Sequence, residues 1–287
     1  MTDAFTPRDL VPRDDERHEN PTESGWSEWL SFAFADAGGA YGGIIEAEFH
    51  PVDGRAQGSV VVFLPGGNVA ASASRARLTG VGGTVVGRLQ MYQDEPMKRW
   101  QIKCKDLALV LPTGSAVGER GGAAVQLDLD LVFQTTAAVA GWAGRRSDVS
   151  DDGFVSVASA GRFEQPGAMT GKLRAGGWET TVEASGFRER GWGVRNEPSE
   201  WLAVSFGSDL AIATSSARVS GQDVGGARIW RDGKPSMSQD SDVLAITTED
   251  LAVFPPAPGD PPVVRALTRA TTGARTATGI ALRPTPH

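Results

Sequence analysis

The side chains able to do chemistry crowd into one run, Gly186-Phe187-Arg188-Glu189-Arg190-Gly191-Trp192-Gly193-Val194-Arg195. Three arginines, a glutamate and a tryptophan spaced by glycines are a dense polar set for a chain otherwise written in alternating strands. Charges taken out of water must be paired. The run therefore either lines a polar pocket or forms a paired structural cluster near a strand end. If it is extended, Arg188, Arg190 and Trp192 share one face, and Glu189 shares the other with Gly191, Gly193 and Arg195. The pocket reading uses the space beside the glycines, turns Glu189 into a cavity and gives it Arg195 as partner, which would hold the carboxylate ionised. The structural reading makes Arg188, Glu189, Arg190 and Arg195 an ion-pair lattice at a seam, with Trp192 as packing.

Other candidates carry less. Cys104 lies between Lys103 and Lys105, but alternation turns it inward with Trp100 and Ile102, as an inert core thiol. One cysteine allows no intrachain disulfide, and His18, His50 and His287 are too few and too scattered for a histidine-built metal site. His50 falls on the wet face of its strand. Gly38-Gly39, Gly42-Gly43 and Gly66-Gly67 precede neither a helix nor Gly-Lys-Ser/Thr, so they read as turns and not phosphate loops. Glu46, Glu48, Asp128 and Asp130 read as solvated strand faces.

The elements that must position the run are strands. In Val125-Gln126-Leu127-Asp128-Leu129-Asp130-Leu131-Val132-Phe133 the odd positions are apolar and the even ones mostly polar, so one face is buried. Trp100-Gln101-Ile102-Lys103-Cys104-Lys105 and Trp178-Glu179-Thr180-Thr181-Val182-Glu183-Ala184 repeat the pattern, as do residues 44–50. Further strands are expected at 58–64, 85–92, 107–111, 201–206, 210–214, 227–231, 243–247 and 276–282. Asp53-Gly54, Ala175-Gly176-Gly177 and Asp232-Gly233 supply turns between them. No helical stripe of useful length is present. Many short, evenly spaced strands predict an all-β antiparallel sandwich or barrel.

The chain has 287 residues, 40% hydrophobic and 22% charged, which favours two domains with sizeable cores. Its net charge of −7 speaks against a nucleic-acid partner or an anionic membrane surface. No run approaches a membrane span and the N-terminus has no apolar signal core, so a cytoplasmic protein is expected. Residues 1–24 have the composition of a flexible lead-in. The polar, glycine-bearing stretch 142–153 reads as the connection between domains at 25–142 and 154–287.

The motifs Arg162-Phe163-Glu164-Gln165-Pro166-Gly167, Gly171-Lys172-Leu173 and the charged run resemble the second barrel of the tandem lipocalin-like superfamily. That superfamily includes carotenoid 1,2-hydratases, kievitone hydratase and decalin-forming cyclases, and the likeness is to its uncharacterised bacterial members. Glu28-Trp29-Leu30-Ser31-Phe32-Ala33-Phe34 with Gly42-Gly43 resembles the opening strand and its turn. Pro96-Met97-Lys98-Arg99-Trp100 resembles the strand closing the first barrel. Those relatives carry Asp-His-Ser where this chain has Glu189-Arg190-Gly191. The carboxylate is kept, but the imidazole, the group that titrates near neutral pH, is replaced by arginine, which cannot act as an acid.

The resemblance implies two lipocalin-like antiparallel β-barrels in tandem, with a lipophilic ligand in a barrel or between barrels. The expected activity is a cofactor-independent hydratase, isomerase or cyclase acting on a terpenoid or polyketide type of molecule. Protonating an alkene needs a strong acid in a dry pocket with aromatic walls. Glu189 is the expected catalytic residue among the carboxylates Glu28, Glu164, Glu183 and Glu189. Arg188, Arg190, Trp192, Arg195, Glu164, Trp201 and Trp178 are the expected substrate contacts, the arginines meeting a polar or anionic end. No metal and no cofactor is expected, and a homodimer is compatible with the sequence. The alternatives are a non-catalytic carrier of a hydrophobic metabolite and an assembly module whose pocket is filled by its own side chains.

Overall fold

The computed structural model describes residues 9–18, 23–78, 84–115, 122–143, 160–194, 200–219, 222–238, 245–256 and 263–285. Period-two alternation becomes eighteen strands: β1 (Trp26–Ala35), β2 (Gly42–His50), β3 (Arg55–Leu64), β4 (Asn68–Arg77), β5 (Thr84–Val86), β6 (Leu89–Glu95), β7 (Arg99–Pro112), β8 (Ala123–Thr135), β9 (Ala140–Ala143), β10 (Gly161–Ala175), β11 (Trp178–Val194), β12 (Glu200–Ser205), β13 (Leu210–Val219), β14 (Gln222–Arg231), β15 (Lys234–Ser238), β16 (Thr247–Phe254), β17 (Val263–Thr272) and β18 (Arg275–Pro284). All pairings between them are antiparallel.

Eight strands close a ring, β1-β2-β3-β4-β7-β8-β10-β11 and back to β1. Leu30, Phe32, Ile45, Phe49, Trp100, Ile102, Cys104, Leu129, Leu131 and Phe133 fill it. Each large apolar side chain buried this way contributes roughly 1.5–3 kcal/mol. The second sheet runs β15-β14-β13-β12-β18-β17-β16. One of its faces, with Trp201, Ala213, Trp230 and Ile280, packs on the outside of the ring against Ala33, Ile44, Phe63 and Phe187. Its other face has a smaller core around Phe206, Ile212 and Ile229. The all-β expectation of tandem barrel-like units holds.

The sheets do not divide at 142–153. Strands β10 and β11 belong to the first ring, and the sheets separate between Val194 and Glu200. The strands on either side of the glycine-bearing stretch, β9 and β10, pair with each other. Loop composition marks where a chain leaves a sheet, not which sheet it re-enters. The expected strand at 85–92 is instead a hairpin of β5 and β6, turning at Gly87 with φ 60°. Strand β4 was missed because its alanines and serines carry no hydrophobic alternation, and β10 because Pro166 and its glycines read as breakers.

The N-terminal lead-in is also corrected, for residues 9–18. Pro12–Asp15 forms a single 3-10 turn with Asp14 and Asp15 buried. It sits on the ring at the end where β1 begins and β11 ends. No helix of the described residues is long and apolar enough to cross a membrane.

Candidate functional site

Register decides which way the charged run faces. Arg188 is paired with Phe32 and Arg190 with Leu30, both inward residues, so the two arginines and Trp192 project into the ring. Glu189 is paired with Ser31 and faces outward with Phe187, toward the second sheet. Arg188, Arg190 and Trp192 share a face as the alternation predicts, but that face is the inward one and Glu189 looks outward. Arg195, the expected partner of Glu189, lies outside the described residues. The space beside Gly191 is filled by the Trp29 ring, which comes within 2.0 Å of where a Cβ would stand. Trp29 Nε1 donates to Glu189 Oε1 at 2.8 Å. The glycine thus accommodates an indole and not a ligand.

The mouth of the ring holds one polar cluster. Arg188 Nη1 donates to Asp15 Oδ1 at 2.6 Å, while its Nε and Nη2 donate to Gln165 Oε1 at 2.8 and 2.7 Å. The guanidinium lies 4.9 Å from the Phe163 ring centre and 5.8 Å from that of Trp100. Arg190 pairs with Glu28 and donates to the carbonyls of Trp29 at 3.1 Å and Glu16 at 2.9 Å. Glu28 also accepts from the His18 backbone N–H at 3.0 Å, and His18 Nδ1 lies 3.3 Å from its Oε2. The His18 ring stacks on Trp192 at 4.5 Å. Burial pushes the Glu28 carboxyl up, but Arg190 and His18 outweigh it and the net shift is down.

A second cluster sits on the opposite face of the same strands, at the seam with the second sheet. Arg162 bridges the two carboxylates, with Nη2 3.0 Å from Glu164 Oε1 and Nε 2.9 Å from Glu189 Oε1. From the second sheet, Arg228 Nη1 reaches Glu164 Oε2 at 2.6 Å and Trp201 Nε1 donates to Glu164 Oε1 at 3.0 Å. Burial pushes Glu164 up, yet Arg228 and Arg162, with the Trp201 bond, bring it below the usual carboxylate range. Burial likewise pushes Arg162 down, and the carboxylates of Glu189 and Glu164 reverse this to a net rise. Two glutamates and two arginines balance in charge.

The expected site residues therefore separate. Arg188, Arg190 and Trp192 belong to the mouth, whereas Glu164, Glu189 and Trp201 belong to the seam. Trp178 joins neither. It packs near Tyr41, fourteen residues along β11 from Trp192, which is roughly 45 Å of strand. Glu46 is not merely solvated, since Arg265 of the second sheet donates to its Oε2 at 2.6 Å. Sequence reading missed Asp15, His18, Arg162 and Arg228 as site residues. Only Arg162 left a signal, standing two positions before Glu164 on one strand face. Among the described residues no three His, Cys, Asp or Glu side chains gather to hold a metal ion. A cleft between β1, β11 and the second sheet has a volume of about 10 Å3, room for at most one water.

A closed antiparallel ring with a second barrel-like sheet packed on its wall is a tandem lipocalin-like fold. The chain belongs to the family of the domain of unknown function DUF7064, whose match covers residues 11–253. Among solved structures, a Nitrosomonas europaea protein provisionally named AttH has the same fold at 10% identity, with TM-score 0.56 over 95% of each chain. Kievitone hydratase from Nectria haematococca is similar at 10% identity and TM-score 0.55, over 95% of this chain and 91% of that one. No curated protein sequence matches significantly.

Proposed function

We propose that this protein binds a lipophilic small molecule at the mouth of the ring, and that its own residues 9–18 compete for the same place. One observation supports this above the others. Two arginines, Arg188 and Arg190, are buried at the mouth of a largely apolar ring that itself supplies Glu28 and Gln165, and the segment that covers them adds the carboxylate of Asp15 and the carbonyl of Glu16. Pure packing would favour apolar side chains at such positions, because burying a guanidinium is costly. Trp100, Phe163 and Trp192 give the mouth the aromatic walls of a lipophilic site. Native mass spectrometry with organic extraction, followed by titration of decanoate and decanol on tryptophan fluorescence, tests the reading. A co-purified lipophile or saturable quenching is expected, and the absence of both, with no thermal shift, would sink it.

A second reading makes the protein a cofactor-independent hydratase, isomerase or cyclase. The His18–Glu28 pair favours it. An imidazole held by a carboxylate against an indole, with its side chain 27% exposed, is suited to moving a proton at an aromatic wall. In this reading the N-terminal segment supplies an imidazole beside Arg190, since His18 and Arg190 share Glu28. His18→Gln would then abolish conversion of the extracted ligand while leaving its binding intact, and unchanged conversion would leave carriage as the function.

A further inference from the structure

The Asp15 carboxylate is held as a ligand is held. Its Oδ1 takes Arg188 Nη1 at 2.6 Å, and its Oδ2 takes Gln93 Nε2 at 2.6 Å and the Met97 backbone N–H at 2.7 Å. These three donors come from β11, β6 and the β6–β7 turn, and none belongs to the segment that carries Asp15. Met97 adopts φ 61°, a left-handed conformation that is strained for a side chain of its size, and there its N–H meets Asp15. Five residues before Asp15, Leu10 packs into the apolar cluster of Phe163, Trp192, Trp26 and Met97. One short stretch thus presents a carboxylate to a buried guanidinium and an alkyl group to an aromatic wall.

Arg188 is fixed from its other side as well. Gln165 takes its Nε and Nη2, and the Phe163 ring lies against it, leaving Nη1 for the carboxylate. We propose that the mouth is a carboxylate site for a lipophilic monocarboxylate, and that residues 10–15 occupy it as an internal surrogate. The inference deepens the proposed function and rests on its placing the ligand at the mouth. A planar carboxylate matches the donors, one oxygen on the guanidinium and the other on two N–H groups, whereas a neutral head group would leave Arg188 without its counter-charge. Because the surrogate is tethered, it competes at an effective concentration on the order of millimolar.

Calorimetric titration of the full chain with decanoate and with decanol tests this, using wild type, Asp15→Asn and the double variant Asp15→Asn/Arg188→Met. Removing the Asp15 charge should tighten decanoate binding by about tenfold or more and change decanol binding by no more than about twofold. Adding Arg188→Met should abolish the gain. If Asp15→Asn binds decanoate no better than wild type, or gains equally for decanol, the surrogate is overturned while binding at the mouth stands. If neither probe binds any variant, both proposals fall. Should Asp15→Asn not fold, amide exchange of the wild type decides. Decanoate, and not decanol, should speed exchange in residues 10–18, and equal or absent effects would overturn the inference.

Discussion

Arg228 Nη1 lies 2.6 Å from Glu164 Oε2, and this bond joins the second sheet to the ring. Both partners are fully buried, and Glu164 also accepts from Trp201 of the second sheet. Most of the remaining seam is apolar, with the Arg162–Glu189 contact and the Arg265–Glu46 pair as further charges, so these polar contacts fix one relative placement of two surfaces that could slide. Deleting one partner of such a pair strands the other in a low-dielectric site, at about 3–5 kcal/mol. Arg228→Met should fall near the lower end of that range, because Arg162 still neutralises Glu164. Urea unfolding reads the loss, and a change below about 1 kcal/mol would mean that the pair contributes little beyond a hydrophobic replacement.

The same carboxylate gives the stability a pH dependence of known sign. Burial raises Glu164, but Arg228 and Arg162 overcome it and the folded group titrates below its unfolded value. Glu28 at the mouth follows the same pattern through Arg190 and His18. A depressed carboxyl contributes stability that is fully present above its unfolded pKa of about 4.3 and is lost as pH falls through its folded value. Unfolding free energy should therefore drop below about pH 4.5, and drop less steeply in Glu164→Gln. Urea midpoints at several pH values check this. Equal slopes in the two proteins would remove Glu164 from the acid response.

How much of this was legible beforehand follows from which interactions are local. The strands at 100–105 and 125–133 showed their buried faces because Trp100, Ile102, Cys104 and Leu127, Leu129, Leu131 and Phe133 alternate within a few residues. That Arg188, Arg190 and Trp192 share one face was equally local. Whether that face looked inward depended on pairing with Phe32 and Leu30, over 150 residues away, and a one-residue shift of register would have exchanged the faces. The glycines of the run were seen, but nothing nearby says that Gly191 accommodates Trp29. The N-terminal segment carries no local signal of its place. Its charges are those of a solvated tail, and the buried Arg188, with Gln93 and the Met97 N–H, gives Asp15 a reason to leave water.

Gly191 and Gly161 each lie beneath an indole, and both should refuse a methyl group. A Cβ at Gly191 would stand 2.0 Å from the Trp29 ring, and one at Gly161 would stand 2.2 Å from that of Trp192. Neither ring is free to yield, since Trp29 is bonded to Glu189 and Trp192 is packed between His18 and Phe163. Forcing such overlap costs about 1–3 kcal/mol or more. Gly191→Ala and Gly161→Ala should each lower the urea midpoint by that amount, and Gly161→Ala should also shift tryptophan emission as Trp192 moves. Variants as stable as wild type would show that the rings can be displaced cheaply.

Cys104 should be chemically silent in the folded protein. It points into the ring beside Leu129, and burial, with the nearby charges of Asp106 and Asp128, pushes its thiol up to about 12. The thiolate is the reactive form, so alkylation at pH 8 should follow the rate of global unfolding and not the thiol's own acidity. Iodoacetamide labelling in increasing urea, followed by mass spectrometry, measures this. Rapid labelling without urea would place the thiol nearer solvent.

Glu189 and Arg188 are adjacent in sequence and opposite in consequence, which separates the seam from the mouth. Glu189 accepts from Trp29 and lies against Arg162 on the outward face, whereas Arg188 holds Asp15 on the inward one. Glu189→Gln keeps the shape and a hydrogen-bond acceptor but takes the charge from Arg162. Hydrogen bonds to charged groups carry roughly 1.5–3 kcal/mol, so the variant should lose about 2 kcal/mol of stability. Binding of decanoate at the mouth should stay within about twofold of wild type, because the effect must cross the strand to be felt. Urea unfolding and calorimetry on the same sample provide both readings. If Glu189→Gln instead keeps its stability and loses ligand binding or turnover, the working site is the seam between the two sheets and the mouth is structural.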